Sequence, residues 1–332
     1  MKIYAFELSG EHESLPRCEA LALVEAFSTR FSEIEFIEQC LIVEAEDLDV
    51  ETIGRRLAMT HRIIEVLAVC PADLDALAEA ASCLQLPPKK YLVRARRIRN
   101  AAPPADAVEH EVGRILFRRG YRADLSHPEL LLRAVITSGW IVLGVEVART
   151  DRSSFEMRRP HLKPFFHPGV LMPRMARSLV NLTQVRAGEI LLDPFAGTCG
   201  ILIEACLIEV NGVGIEVQPR LVKGALCNLQ GLDCGLLLGD AKRLPLKDAS
   251  IDAAVLDTPY GRSAKIMAAS KELLLKESLG ELFRVIRPGR RMAIVADRSI
   301  EEMIEEVGFV LLQKHTDRVH RSLTRQIFIC GR

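Results

Sequence analysis

An apolar run, Ile251 to Leu256, ends in Asp257, Thr258, Pro259 and Tyr260. A carboxylate, a main-chain carbonyl, a proline that stiffens the bend and an aromatic face thus fall in four consecutive positions. The set suits an amine attached to an aromatic base. The lone pair of such an amine is delocalised into the ring, so attack on an electrophile improves when acceptors hold its hydrogens. The Asp257 carboxylate and the Thr258 carbonyl supply those acceptors, Pro259 holds the turn, and Tyr260 stacks on the base. Asp257 is also placed to take the leaving proton. D-x-P-Y is equally an ordinary turn composition, so its meaning depends on what stands beside it.

A second acid, Asp193, ends another apolar strand in LLDPFAGTCGILIEA, residues 191 to 205. Strand, acid, glycine-containing turn and helix is how a parallel α/β sheet presents a nucleoside at the carboxyl ends of its strands. The stretch is neither a G-x-G-x-x-G fingerprint nor a phosphate loop, because no Gly-Lys-Ser/Thr follows. Gly197 and Gly200 let the backbone approach a ligand, and Asp193 suits an ammonium group or water better than a phosphate. At the next two strand ends Glu216 can accept from a ribose diol and Asp240 from an adenine amino group. Each acid alone also reads as a helix N-cap. Three in register with the glycine turn resemble the S-adenosylmethionine site of class I methyltransferases, over residues 185 to 330. That resemblance implies S-adenosylmethionine as cofactor, held by Asp193, Phe195, Ala196, Gly197, Thr198, Gly200, Glu216, Val217, Asp240, Ala241 and Asp257. The Asp257 to Tyr260 turn in its turn resembles the (Asp/Asn)-Pro-Pro-(Tyr/Phe) motif of methyltransferases acting on exocyclic base nitrogens. Thr258 stands where proline is usual, and a backbone carbonyl survives that change.

The elements that must position these residues form an alternating series. A helix is expected over 169 to 182, where Leu171, Met175, Leu179 and Leu182 recur at helical spacing. Strands at 189 to 193, 212 to 217, 235 to 239, 251 to 257 and 290 to 296 then alternate with helices at 199 to 209, 219 to 230, 271 to 286 and 300 to 307. Such alternation predicts a doubly wound parallel sheet, here a class I Rossmann-like methyltransferase domain over 169 to 332. Strands 309 to 315 and 324 to 330, joined without a helix, should pair antiparallel at its edge. Residues 150 to 168 carry Pro160, Pro164 and Pro168 and read as a semi-rigid linker. Residues 1 to 70 read strand, helix, two strands, helix, strand, the split βαβ or ferredoxin-like order of an α+β domain. Residues 71 to 149 contain a helix (73 to 83), the basic strand KKYLVRARRIRN (89 to 100), a helix (105 to 119) and a hairpin around Thr137, Ser138 and Gly139. The basic strand, the helix ending in Arg118, Arg119 and Gly120, and the hairpin resemble a THUMP domain. That resemblance implies an RNA-modifying enzyme that engages the acceptor end of tRNA.

Charge distribution agrees with an RNA partner. The chain is neutral overall, but residues 1 to 88 carry a net −11 and residues 89 to 163 a net +8. Phosphate binding depends on clustered cations, so Arg94, Arg96, Arg97, Arg99 and Arg118 are candidate RNA contacts, with Arg94 and Arg96 expected on the solvent side of their strand. A solvated basic face is the alternative. Nine cysteines show no C-x-x-C pair and no zinc spacing, so no metal and a mostly reduced, cytoplasmic set are expected. No apolar run is long enough to span a membrane, so a soluble protein with no membrane partner is expected.

Combining the two halves sharpens the resemblance. The segment Pro164 to Gly169, the helix PRMARSLVNL (173 to 182), the DTPYGRS turn and the tail from His320 to Arg325 are similar to archaeal tRNA guanosine-10 N2-methyltransferases, over nearly the full chain. The resemblance implies methylation of guanosine N2 at position 10 of tRNA, giving the monomethyl and often the dimethyl form. It places Phe166, His167 and Leu171 at the methionine end of the cofactor pocket, and Asp257 to Tyr260 around guanine. Arg262 and Arg321 become phosphate partners or surface ion pairs near the catalytic face. Some relatives require a small zinc-binding activator, so a monomer or a heterodimer is expected. The catalytic turn alone leaves open an N6-adenine or ribosomal RNA guanine methyltransferase. Outside enzymes, the alternative is an RNA-binding subunit that kept the fold.

Overall fold

A computed structural model describes residues 1–259, 268–320 and 323–332. By its contacts the chain forms two units, Met1–Arg55 with Met59–Thr150, and Arg56–Ala58 with Asp151–Arg332. The expected Tyr260, Arg262 and Arg321 contacts lie outside the described residues.

In the first unit the chain runs β1 (Lys2–Leu8), α1 (Leu15–Ala26), β2 (Arg30–Ile37), β3 (Cys40–Glu46), α2 (Val50–Arg56) and β4 (Thr60–Pro71). It continues with α3 (Leu74–Cys83), β5 (Tyr91–Arg97), α4 (Ala105–Arg118), β6 (Leu130–Ile136) and β7 (Trp140–Arg149). The first four strands stand in the order β2-β3-β1-β4, the split βαβ arrangement. Pairing does not stop at residue 70. β4 also pairs antiparallel with β7, so one seven-stranded sheet, β2-β3-β1-β4-β7-β6-β5, spans residues 2–149. α3 is capped by Asp73, whose carboxylate accepts from the amides of Asp75 and Ala76. Its Leu77 and Ala81 pack with Val108, Val112 and Leu116 of α4 on Leu132 and Leu143 of the sheet.

The second unit begins inside the stretch expected to be a linker. Asp151 onward packs onto it through α5 (Ser153–Met157) and a 3-10 turn (Pro160–Leu162). The reason is an ion cluster that sequence spacing does not show. Arg158 makes a two-point contact with the buried Glu204, at 2.7 and 3.1 Å, and Arg177 reaches the same carboxylate at 3.0 Å. Both guanidinium groups lie over the buried Phe155 ring, at 4.6 and 5.7 Å from its centre.

Then follow α6 (Pro173–Leu182), β8 (Ile190–Asp193), α7 (Gly200–Cys206), β9 (Asn211–Glu216), α8 (Pro219–Asn228), β10 (Cys234–Leu238) and β11 (Ile251–Asp257). The chain closes with α9 (Ala268–Val285), β12 (Ile286–Ala296), α10 (Glu301–Val307), β13 (Val310–His320) and β14 (Leu323–Gly331). The sheet order is β10-β9-β8-β11-β12-β14-β13. Strands β8 to β12 are parallel, and β14 runs antiparallel to both β12 and β13. This is the expected Rossmann-like sheet. Strand order reverses between β8 and β11, which pair at Ala253 with Leu191 and Ala254 with Leu192. A crevice opens at such a reversal, outside the carboxyl ends. Cys206 and Cys234 form a disulfide, brought together where α7 ends and β10 starts, and the other seven cysteines are free, in keeping with a mostly reduced set.

Candidate active site

The crevice is a cleft of about 350 Å³, within the usual range for small-molecule sites. Its walls contain every expected cofactor residue but one: His167, Leu171, Asp193, Phe195, Ala196, Gly197, Thr198, Gly200, Glu216, Val217, Asp240, Ala241 and Asp257. Phe166 is the exception, half exposed and outside the lining. Its neighbour Phe165 instead lies with its ring against Gly224 of α8. Pro168, Gly169, Val170, Gln218 and Leu221 also line the cleft. Pro168 and Gly169 belong to the segment that carries the resemblance, whereas Val170, Gln218 and Leu221 carry no motif and only their neighbours in sequence hinted at them.

Asp193 is 1% exposed. Burial pushes its carboxyl up to about 8, the Phe195 amide at 3.1 Å opposes this, and the charges of Asp257 and Glu216 add to it. The following turn bends back on itself through two left-handed residues, Gly197 (φ 52°) and Cys199 (φ 63°). Glu216 ties this turn to β9. One of its oxygens accepts from the Gly197 amide at 3.0 Å, the other from the Gln218 amide at 2.9 Å. Each oxygen keeps a lone pair for a further donor. Gly214, which pairs with Asp193, is required for packing: a Cβ there would lie 2.7 Å from Leu202 and 2.9 Å from Ala196. Asp240 accepts from the Lys242 amide at 3.0 Å. Four acidic side chains, Asp193, Glu216, Asp240 and Asp257, line one cleft and favour a cationic, hydroxyl-rich occupant over an anionic one.

The turn that begins at Asp257 continues β11. Asp257 sits opposite Val295 of β12, and both the amide and the hydroxyl of Thr258 donate to the Val295 carbonyl, at 3.0 and 2.9 Å. Threonine therefore anchors the turn by hydrogen bonds where proline would do so by ring closure. Its side chain faces β12, which leaves only its own main-chain carbonyl for chemistry. Thr258→Val should cost about 1 kcal/mol of stability and change turnover less than about tenfold. Denaturant titration with a parallel rate measurement checks this; a larger loss of rate would give the hydroxyl a chemical role. Beyond Pro259 a smaller hollow is lined by Phe195, Lys271, Asp297 and Arg298. Lys271 comes from α9, Asp297 and Arg298 follow the end of β12, and no sequence signal pointed to these three.

The basic residues of the first unit divide. Arg94, Arg97, Arg99 and Arg118 are exposed. Arg96 is only partly exposed and is engaged in an ion pair. Its guanidinium reaches the buried Glu7 at 2.6 Å, and Arg133 binds the same carboxylate at 2.8 and 3.1 Å. β1 and β5, distant in sequence, share one sheet, and a buried carboxylate on β1 draws any cation within reach. Among the described residues there is no cluster of metal-ligating side chains, and no helix is long and apolar enough to cross a membrane.

A family model described as an RMKL-like methyltransferase domain matches residues 160–327. The chain is 35% identical to the tRNA (guanine(10)-N2)-dimethyltransferase of Methanothermobacter thermautotrophicus over 332 residues, covering 98% of each. It is 29% identical to the protein of that description from Methanocaldococcus jannaschii, again with 98% of each covered. In fold it is similar to the crystal structure of TrmN from Thermus thermophilus, at a TM-score of 0.56 and 21% identity, with 99% of each chain covered.

Proposed function

The chain belongs to the RMKL-like methyltransferase domain family and to the archaeal tRNA (guanine(10)-N2)-dimethyltransferases, and on that footing we propose that it methylates the exocyclic N2 of guanosine 10 in tRNA. The observation that carries this reading is the meeting of Asp193 and Asp257 in one cleft, from adjacent strand ends. One is buried as an ammonium acceptor; the other continues into an anchored turn with acceptors for an aryl amine.

When bound, S-adenosylmethionine supplies an electrophilic methyl group on a sulfonium. The donor set of the cleft fits it. Asp193 would hold the ammonium, the two Glu216 oxygens the ribose diol, and Asp240 the adenine amine, while Gly197 would allow close backbone approach. Asp257 and the Thr258 carbonyl hold the two N2 hydrogens, which turns the nitrogen lone pair out of conjugation with guanine. Asp257 then takes the proton lost as the new N–C bond forms. Guanosine in a paired stem must first leave the stack, at a cost of a few kcal/mol. Contacts from Arg94, Arg97, Arg99 and Arg118 to tRNA phosphates are proposed to offset it, reading shape rather than sequence.

Mass spectrometry of nucleosides from tRNA treated with the purified protein tests the reaction, with N2-methylated guanosine as the expected product. Transcripts changed at guanosine 10 should accept no methyl; undiminished transfer would move the target elsewhere, and methylated adenosine would replace the amine assignment. Full turnover by a monomer alone would remove the zinc-binding activator from the proposal.

Cofactor binding should also release a proton. The Asp193 carboxyl is raised from 3.8 to about 8, so the stability it contributes is present below its unfolded value and lost as pH rises through about 8. An ammonium against it favours the ionised form. Near neutral pH binding therefore expels the proton, and affinity should strengthen as pH rises, levelling above about 8. Calorimetry in two buffers of different ionisation enthalpy reads this directly; equal heats would place the ammonium away from Asp193.

A further inference from the structure

Asn228 is the last residue of α8 and does not line the cleft. Its amide nevertheless joins two segments that do. Nδ2 donates to the carbonyl of Phe165 at 2.9 Å and to that of Thr198 at 3.1 Å, while Oδ1 accepts from the Phe165 amide at 2.9 Å. Two acceptors and one donor around the group fix which end is nitrogen. One turn earlier on α8, Gly224 lies against the Phe165 ring: a Cβ there would come within 2.4 Å of it. Residue 165 is thus held through its backbone by Asn228 and through its ring by the bare face of Gly224.

Each of the two joined segments supplies part of the cleft wall. Phe165 leads directly into His167 to Leu171, and Thr198 belongs to the turn that follows Asp193. Nothing in the motif chemistry requires an asparagine at 228 or a glycine at 224. We propose that Asn228, with Gly224, is a positioning residue that sets the spacing of these segments and so the affinity for the cofactor, without touching it. The proposal rests on the methyltransferase reading of the cleft.

Asn228→Leu removes all three hydrogen bonds at similar volume, and Asn228→Asp sets an oxygen against two carbonyls. Both should weaken S-adenosylhomocysteine binding roughly tenfold, and raise KM for S-adenosylmethionine equally, with kcat at saturation within about threefold. Gly224→Ala provides the second arm. Alanine favours α8 itself by helix propensity, so the protein should stay folded, yet the displaced ring should weaken the same ligand by a similar factor. Titration calorimetry, steady-state kinetics and thermal melting are measured on each variant. A purely structural role predicts lower melting temperatures with unchanged KM and ligand affinity, and that result overturns the proposal. Wild-type affinity in Gly224→Ala overturns it as well. A wild-type chain that binds no S-adenosylhomocysteine removes the methyltransferase reading and this inference with it, whereas wild-type binding lost in no variant removes the inference alone.

Discussion

Asp257→Ala should lower kcat by at least about 10³-fold while leaving S-adenosylhomocysteine affinity within a few fold. The carboxylate ends β11 beside the Thr258 turn and lines the same cleft as the cofactor candidates. Its assigned partner is the base amine, so its loss removes an interaction that strengthens only as the N–C bond forms. Asp257→Asn keeps one acceptor oxygen but cannot take a proton, and should fall between wild type and alanine. Single-turnover methyl transfer separates chemistry from product release, and calorimetry reports the cofactor. Should Asp257→Ala instead abolish cofactor binding with residual turnover at high concentration, the division of the cleft between cofactor and base is wrong. Removing this charge also relieves one of the groups that raise Asp193, so any small change in cofactor affinity should come with a weaker pH dependence.

Arg133→Ala should destabilise the first unit by about 3–5 kcal/mol, because it strips a guanidinium from a carboxylate already out of water. Glu7 is 1% exposed and Arg133 8%. Burial alone would raise the Glu7 carboxyl; Arg133 and then Arg96 outweigh it and hold it below the ordinary value of 4.5. A depressed carboxyl contributes stability above its unfolded value and loses it as pH falls through the folded one. Acid unfolding of Arg133→Ala should therefore begin at a higher pH than in wild type. Arg96→Glu should do comparable harm, since it sets a second anion against Glu7. An RNA-binding defect in that variant would report unfolding, not contact with tRNA. Arg118→Glu is the informative counterpart: unchanged stability and a shallower salt dependence of tRNA binding are expected. A change below about 1 kcal/mol in Arg133→Ala would mean that Glu7 gives up its charge when the partner leaves.

The residues 1–70 and 71–149 show where local reading stops. Apolar periodicity marks β4 as a strand, but nothing in its period says that it carries a partner on both sides, β1 and β7. Strand order is a property of the closed sheet. The same holds for the proline-rich 150–168 stretch. Proline excludes a long helix there, and the docking comes from Glu204, some 46 residues beyond Arg158. Phe165 and Phe166 are chemically identical neighbours, and it is the Asn228 amide on the backbone of residue 165 and the bare face of Gly224 against its ring that decide which one turns inward.

By itself the sequence determined the strand and helix order of the catalytic half, the three acids at successive strand ends, and the Asp257 turn with its acceptors. Each of these is written in a few adjacent residues, because an apolar run followed by an acid marks a strand end wherever the strand lies in the sheet. Tertiary structure alone decided that Arg96 serves Glu7, that Thr258 is anchored on Val295, and that Asn228 clasps two segments of the cleft wall. A hydrogen bond depends on distance and angle in space, and those are set by which strands become neighbours, a choice no local pattern encodes.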